Sequence, residues 1–521
     1  MNGAASLVQT LVNCGVEVCF TNPGTSEMHF VAALDDVEGM RCVLGLFEGV
    51  VSGAADGYAR IARKPAATLL HLGPGFGNAF ANVHNAKKAR VGMVNIVGDH
   101  ATYHLQYETP LNSDIEGIVG TVSHWVRSSE SPAALSTDAA QAAQAAHHGQ
   151  IATLILPADV SWSEDAAPPM AMPDIAPPRR VQSDTIDAIK NLLARGEPTL
   201  LLVGGGEITQ KASLLLSKIG EHTGARVCVE TFPVRVARGE GTGQLERLPY
   251  LAEMAYQHLG GLNHIVLVGA LEPISFFAYP HIQSKLVPEG CELHTLSTPG
   301  DDLEDCLERL IDALGCADVA PRCSVRATLE APTGDLTPLT VAQSISRSLP
   351  SQTIVVDDGA TSSLPIYALT EAAPAHDWLS LTGGAIGFGI PNAIGAAIAA
   401  PERKVLCLAG DGSAMYTIQA LWTIAREQLD VTVVVFSNHK YNILEIEFAR
   451  TGARGGKPGP NAAAMLDLGQ PNLDFVSMAT GMGIQASRAA TASEFDAQFA
   501  DAMAQRGPRL IEAMVPPVKL G

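Results

Sequence analysis

At 521 residues the chain is too long for one ordinary domain, and at roughly 150 residues per domain three or four units are expected. Lys and Arg total 34 against 54 Asp and Glu, a formal charge of −20 that argues against a protein built to grip nucleic acid or an anionic membrane, so an anionic ligand needs local devices to hold it. Hydrophobic residues make up 47% and charged residues 17%, the balance of a globular, core-rich chain with apolar area to spare for subunit interfaces.

The amino-terminal run Met1-Asn2-Gly3-Ala4-Ala5 lacks the basic and apolar regions of a signal peptide, and no apolar run approaches the ~18 residues that span a bilayer. The nine cysteines form neither a CxxC pair nor a Cys/His cluster with zinc spacing, so a reducing, cytoplasmic home is expected. Moving along the chain, an Ala/Gly-rich helix (Val50 to Ala62) leads to a strand ending in Gly73-Pro74-Gly75, then a helix, then a strand (Val91 to Val97) ending in Gly98-Asp99-His100. Five prolines within residues 164–180 mark a linker, because proline removes a backbone donor and fixes φ. A weaker break runs through Pro321, Pro332, Gly334 and Pro338. These cuts predict domains at 1–165, 183–325 and 336–521. In each, short apolar β-rich runs alternate with Ala-rich helical stretches, which predicts three α/β domains, each a doubly wound parallel sheet.

The first and last domains resemble each other. In the last, the helix Pro391 to Ala400 leads to a strand ending in Gly410-Asp411-Gly412, a helix (Tyr416 to Gln428), and a strand (Val431 to Phe436) ending in Ser437-Asn438-His439. From first glycine to next strand end is 25 residues in one and 27 in the other, the pattern of a diverged duplication in which only the last copy keeps an acid between its glycines.

That acid defines the most informative segment, Gly410-Asp411-Gly412-Ser413, followed after 24 residues by Asn438. Asp411 and Asn438 fall at the carboxyl ends of successive parallel strands, where open α/β sheets bind ligands. Flanking glycines let backbone approach a phosphate, and the following helix aims N–H groups at the same place. A carboxylate beside a phosphate needs a cation between them, and Asp411 with the Asn438 amide oxygen are hard ligands suited to Mg²⁺. A plain Gly-Asp-Gly turn and a turn asparagine would show the same spacing.

Together these residues resemble the metal and diphosphate motif of thiamine diphosphate-dependent enzymes, and the similarity runs through the whole chain. It points to the benzoylformate decarboxylase and acetolactate synthase large subunit branch, carried by Asn22-Pro23-Gly24-Thr25, by Phe47-Glu48-Gly49 with Ala54-Ala55-Asp56-Gly57-Tyr58-Ala59, and by Gly383-Gly384-Ala385-Ile386-Gly387-Phe388. The resemblance implies a pyrimidine-binding, a central and a diphosphate-binding domain, in that order. It implies that Lys440 lends a backbone carbonyl to Mg²⁺ beside Asp411 and Asn438. Thr361, Tyr441, Asn442 and Ile443 would line the cofactor with Asn22, Pro23, Gly24, Gly410, Gly412 and Ser413. Glu48, the only acid in Leu44 to Val51 and at the mouth of a helix, reads by itself as a cap. The resemblance makes it the carboxyl that bonds N1′ of the aminopyrimidine. Ile386 would wedge between the cofactor's rings, with the Gly384 carbonyl on the 4′-amino group.

The activity so implied is decarboxylation of a 2-oxo acid, followed by release of an aldehyde or by C–C bond formation. The alternatives are an acetolactate synthase-like or 2-hydroxyacyl-CoA lyase-like enzyme, or a cofactor-binding paralogue without catalysis. His71 lies where the benzoylformate decarboxylase subgroup carries an active-site histidine, and Thr25 where it has serine. His100 and His104 are further candidates for substrate binding or proton transfer. Phe277 falls near the subgroup's second histidine, so aromatic specificity is in doubt, and His281 is the one nearby replacement. Leu444 stands where pyruvate decarboxylases carry a glutamate, which argues against simple pyruvate decarboxylation. FAD is not expected, since the central domain lacks the arginine-rich signature of acetolactate synthases. The resemblance places each site between two subunits, so a homodimer is the minimum and a homotetramer is expected.

Overall fold

A computed structural model of the chain describes residues 1–280 and 282–519. The first sheet holds β1 (Val18–Thr21), β2 (Arg41–Leu44), β3 (Ala66–Leu70), β4 (Met93–Asp99), β5 (Trp125–Ser128) and β6 (Ile151–Pro157), ordered β2-β1-β3-β4-β6-β5. The middle segment supplies β7 (Thr199–Val203), β8 (Glu207–Ile208), β9 (Arg226–Val229), β10 (Arg235–Arg238), β11 (Glu246–Arg247), β12 (His264–Val268) and β13 (Glu292–Ser297). Five of these seven form a parallel sheet ordered β11-β9-β7-β12-β13. The last segment supplies β14 (Thr353–Asp358), β15 (His376–Ser380), β16 (Val405–Gly410), β17 (Val431–Ser437), β18 (Gln485–Ala489) and β19 (Arg509–Met514), ordered β18-β19-β17-β16-β14-β15. The central strands are buried on both faces, as expected where helices cover a parallel sheet from either side.

The α/β class is as expected, with one departure: the sheets do not follow the segments. β10 pairs antiparallel with β15, and β8 parallel with β10, so the last sheet grows to eight strands at the middle segment's expense. β8 and β10 are too short for their pattern to announce a partner.

Counting β14 to β19 as one to six, the last sheet reads 2-1-3-4-6-5, the order of the first sheet. The helix Glu48–Ala62 follows β2 and its counterpart Gly389–Ala399 follows β15, and these two helices pack on each other. Small residues let them touch backbone to backbone. A Cβ on Gly57 would lie 2.0 Å from the Asn392 carbonyl oxygen, and one on Gly395 would lie 1.9 Å from that of Ala54. Arg60 ties the crossing together. It donates to both Asp56 carboxylate oxygens at 2.8 Å, to Ser380 O at 2.8 Å and to Val234 O at 3.2 Å, thereby touching all three segments.

Residues 164–180 carry neither helix nor strand; their first half meets the helix Gly3–Asn13, where Ser6 Oγ donates to Ala167 O at 2.7 Å, and Arg179 and Arg180 pair with Asp301 and Asp305 of the middle segment. Two boundaries differ from expectation by more than two residues. Gly73-Pro74-Gly75 belongs to the first turn of the helix Leu72–Ala89, where proline's missing N–H costs nothing, and is not the end of a strand. The helix expected from Tyr416 starts at Asp411 and breaks after Tyr416, resuming at Ala420. Among the described residues no helix is long and apolar enough to cross a membrane.

Candidate functional site

The carboxyl ends of β1, β3 and β4 gather one group of side chains. Glu48 opens its helix and is buried, and Asn78 Nδ2 donates to its Oε2 at 3.0 Å. A point one Cβ out from Gly75 is 3.2 Å from Glu48 Oε1 and 3.3 Å from the His71 Cβ, so the two side chains flank one glycine. His71 caps the Leu72–Ala89 helix, and its Nδ1 lies 2.9 Å from Oε2 of Glu27, itself buried. Gly24 donates its N–H to the same carboxylate at 2.7 Å, and a Cβ at Gly24 would strike the imidazole. The loop Asn22-Pro23-Gly24 therefore presses on His71. Thr25 is exposed; the hydroxyl that approaches His71 Nδ1, at 3.4 Å, belongs to Ser26. His100 and His104 come together, with ring centroids 5.5 Å apart, and Thr109 Oγ1 lies 2.9 Å from His100 Nε2.

The corresponding ends of β14, β16 and β17 gather the second group. Buried Asp411 accepts from Gly412 N at 2.8 Å on Oδ1 and from Asn438 N at 3.0 Å and His439 N at 2.7 Å on Oδ2. Burial raises its carboxyl pKa, against the pull of those three amides. Asn438 Oδ1 accepts from Lys440 N at 3.0 Å, while the Lys440 ammonium is turned aside to Glu445 at 2.7 Å. A Cβ on Gly412 would collide with the Tyr441 ring, 2.3 Å away. Thr361 Oγ1 donates to Asn442 Oδ1 at 3.2 Å, Ser413 is buried and Ile443 is half-buried beside them. Leu444 is exposed on the same helix, Asn442–Arg450.

The loop before Gly389 is held from both sides. Asp358 Oδ2 accepts from Gly387 N and Gly389 N, each at 3.0 Å, and Thr417 Oγ1 donates to Gly387 O at 2.8 Å. From the first segment, Asn85 donates to Ala385 O at 2.8 Å and accepts from Ala385 N at 3.2 Å, and His84 Nε2 lies 3.2 Å from Gly383 O. Gly384 and Gly387 have φ of 74° and 86°, values that exclude most side chains, so Ile386 is presented between two fixed turns. Three non-glycine residues, Leu72, Ala360 and His439, also take positive φ at the ends of β3, β14 and β17. Such backbone strain collects at functional sites.

The middle segment contributes aromatic rings. Phe276 packs on Phe232 and Tyr250 with centroids 5.8 and 5.5 Å away, and its ring would meet a Cβ on Gly384 at 2.7 Å. Phe276 thus covers the glycine loop, while Phe277, its neighbour at 4.8 Å, is more exposed. His281 lies outside the described residues.

Known proteins resemble this chain along its length. Residues 1–118 match the thiamine pyrophosphate enzyme N-terminal TPP binding domain, and residues 348–513 match the corresponding C-terminal TPP binding domain. A Mycobacterium tuberculosis protein, provisionally named acetolactate synthase large subunit IlvX, is 52% identical over 99% of each chain. The chain belongs to the thiamine pyrophosphate enzyme family. Within that family, the benzoylformate decarboxylase of Pseudomonas aeruginosa is 28% identical over 96% of each chain. The fold matches a thiamine diphosphate-dependent 4-hydroxybenzoylformate decarboxylase of Rhodococcus jostii RHA1 at a TM-score of 0.86, with 23% identity and full coverage of both chains.

The residues at β16 and β17 fit the family's cofactor. The Asp411 carboxylate and Asn438 carboxamide are oxygen donors brought within one hydrogen-bonded turn, as a hard dication requires. The close Gly412–Tyr441 contact leaves backbone, not side chain, to face a phosphate. Several supporting residues of these clusters were not anticipated from the sequence, among them Glu27, Asn78, Asn85 and Asp358. Asp358 had a signal, two acids closing the apolar strand Ile354-Val355-Val356, a costly place for charge without a task.

Burial pushes two of the chain's carboxyls, Asp358 and Glu230, up to about 7. A carboxyl whose folded pKa is raised keeps its proton while the unfolded chain has lost it, so its contribution to stability falls as pH rises through the folded pKa. Between pH 6.5 and 8 the two together lower the stability of the cofactor-free protein by an amount on the order of 1 kcal/mol. Thermal unfolding across that range should show the decline, and Glu230→Gln should make it shallower. An identical slope in the variant would mean that Glu230 ionises normally.

Proposed function

We propose that the protein is a thiamine diphosphate- and Mg²⁺-dependent decarboxylase or carboligase of 2-oxo acids, with a benzoylformate decarboxylase-like preference for an apolar or aromatic acyl group. The observation that carries the substrate preference is the aromatic cluster of Phe232, Tyr250, Phe276 and Phe277 set against Gly384. Thiamine diphosphate, when bound, supplies a thiazolium ring that accepts the electron pair freed by loss of CO₂.

The chain's own residues do the rest. Glu48 holds a proton at its carboxyl toward the pyrimidine, and the Asn78 amide keeps that carboxyl in place. Asp411, Asn438 and the Lys440 carbonyl hold Mg²⁺, with Thr361 and Asn442 beside the diphosphate. Ile386, on a loop clamped by Asp358 and Asn85, would be the apolar side chain presented to the cofactor. Glu27 fixes the His71 ring through Nδ1 and leaves Nε2 to exchange a proton with substrate or product. His100, oriented by Thr109, is a second proton carrier, with His104 stacked beside it. Exposed Leu46 next to Glu48, and Met415 and Tyr416 next to Asp411, offer apolar surface for a second copy of the chain, which supports a homodimer joining the two clusters and, by pairing of dimers, a tetramer.

A second reading, acetolactate synthase-like C–C bond formation, is favoured by the name of the 52% identical relative. The two are separated by incubating the protein, thiamine diphosphate and Mg²⁺ with aliphatic, aromatic and acidic 2-oxo acids while CO₂ and organic products are both measured. The expected result is CO₂ and an aldehyde in equal amounts, fastest with an aromatic substrate. CO₂ with a hydroxy-keto product from pyruvate selects the second reading, and no CO₂ from any substrate rejects both.

A further inference from the structure

The amino ends of β7, β12 and β13 lie side by side, at the end of the middle sheet opposite the carboxyl ends where ligands of such sheets collect. His264 opens β12 and stands opposite Glu292, which opens β13. His294 follows Glu292 by two residues, so strand alternation places both on one face. Glu197 precedes the strand that pairs with β12 on its other side. The parallel register therefore converges two imidazoles and a carboxylate from distant points in the chain. Among the described residues no other three His, Cys, Asp or Glu side chains bring ligand atoms so close together.

The distances are informative. His294 Nε2 is 3.2 Å from His264 Nδ1, and Glu292 Oε2 is 3.6 Å from His264 Nδ1 and 3.5 Å from His294 Nε2. Ligands about 2.0–2.2 Å from a tetrahedral zinc ion lie roughly 3.3–3.5 Å from one another. The three atoms thus already form one face of a zinc tetrahedron, and Glu292 among them is exposed.

The remaining nitrogen of His264 has the partner that metal-bound histidines carry. Its Nε2 lies 2.6 Å from Glu197 Oε2, and an ionised carboxylate can only accept, so the proton sits on Nε2 and the lone pair on Nδ1. Without metal, His294 Nε2–H donates to that lone pair. On binding, the proton moves from His294 Nε2 to Nδ1, the metal takes both lone pairs, and no net proton is released. Glu197 and Glu292 supply two negative charges against the dication; Arg195, close enough to act on Glu197 and His294, opposes it.

We propose that His264, His294 and Glu292, supported by Glu197, form a site for a borderline divalent transition ion, Zn²⁺ first, pinning the edge strand β13 to β12. Two imidazoles select such an ion over Mg²⁺.

The test uses the full chain with thiamine diphosphate and excess Mg²⁺ present, so that Asp411 and Asn438 are occupied. Zn²⁺ uptake is measured by equilibrium dialysis with elemental analysis, and Co²⁺ uptake by its visible spectrum. Wild type should take up about one ion per chain more than His294→Ala, with the strong visible bands of tetrahedral Co²⁺. Subtracting His294→Ala removes any binding by cysteines. Glu197→Gln should weaken binding by about 10–100-fold. Because Glu292 is exposed, Glu292→Gln folds as wild type does and should weaken uptake as well. Equal uptake by wild type and His294→Ala, or an octahedral Co²⁺ spectrum unchanged by Glu292→Gln, would overturn the proposal and leave a histidine–histidine hydrogen bond.

Discussion

Turnover of a Glu48→Gln variant is expected to fall by ~10²–10⁴-fold, the range for loss of one positioned proton-transfer group. Glutamine has the same shape and its carboxamide oxygen still accepts from Asn78, so burial at the head of the Glu48–Ala62 helix is undisturbed. What disappears is the ability to hold and return a proton. Thermal unfolding should therefore match wild type. Thiamine diphosphate should still bind, because Asp411, Asn438 and Thr361 are unchanged. The measurement is kcat for CO₂ release on the best 2-oxo acid, beside a cofactor titration and a melting curve. Turnover within tenfold of wild type would remove Glu48 from the mechanism. A collapsed melting curve would show that Glu48 serves the fold.

The largest effect on stability is expected from Gly395→Ala. One added methyl would stand 1.9 Å from the Ala54 carbonyl oxygen and 2.3 Å from the Tyr58 nitrogen, both backbone atoms that cannot swing away. The helices Glu48–Ala62 and Gly389–Ala399 must separate to admit it, loosening the core shared by the first and last segments. Overpacking of a close core contact costs about 1–3 kcal/mol and more where backbone must move. The loss should exceed ~3 kcal/mol, several degrees of melting temperature for a chain of this size. Gly481, which has open space where its Cβ would go and no positive φ, is the matched control, and Gly481→Ala should be neutral or slightly stabilising. Equal melting temperatures for the two variants would mean that the helices do not touch at Gly395.

The parts of this molecule that were legible in the sequence are those set by burial and by sheet geometry. Short apolar runs such as Ile151 to Leu156 and Val431 to Phe436 read as buried strands, and Asp411 and Asn438, which close two successive ones, were expected together at the carboxyl ends of one sheet. The repeated run of glycines and strand ends anticipated two related domains, and six strands of the last sheet follow the order of the first. What escaped were offsets of one residue in loops, which no periodicity fixes. Ser26 rather than Thr25 turns its hydroxyl to His71, and Phe276 rather than Phe277 covers Gly384. Supporting groups escaped as well. Glu27 reads as a member of an ordinary turn, and Asn78 and Asn85 as polar residues on a helix, until the helix Leu72–Ala89 is seen to reach from Glu48 to the Ile386 loop.

The pairing of β10 with β15 has a bearing on how the chain came to be one piece. A sheet that ended at β15 would leave an open row of N–H and C=O groups inviting another chain to add to it. The middle segment closes that row with β10 and then with β8, two strands interleaved along the chain with those of its own sheet. It is thus a guard as much as a spacer. Cutting the chain at its proline-rich joints would free a carboxyl-terminal fragment with an unprotected, sticky margin, so that fragment should aggregate when made alone.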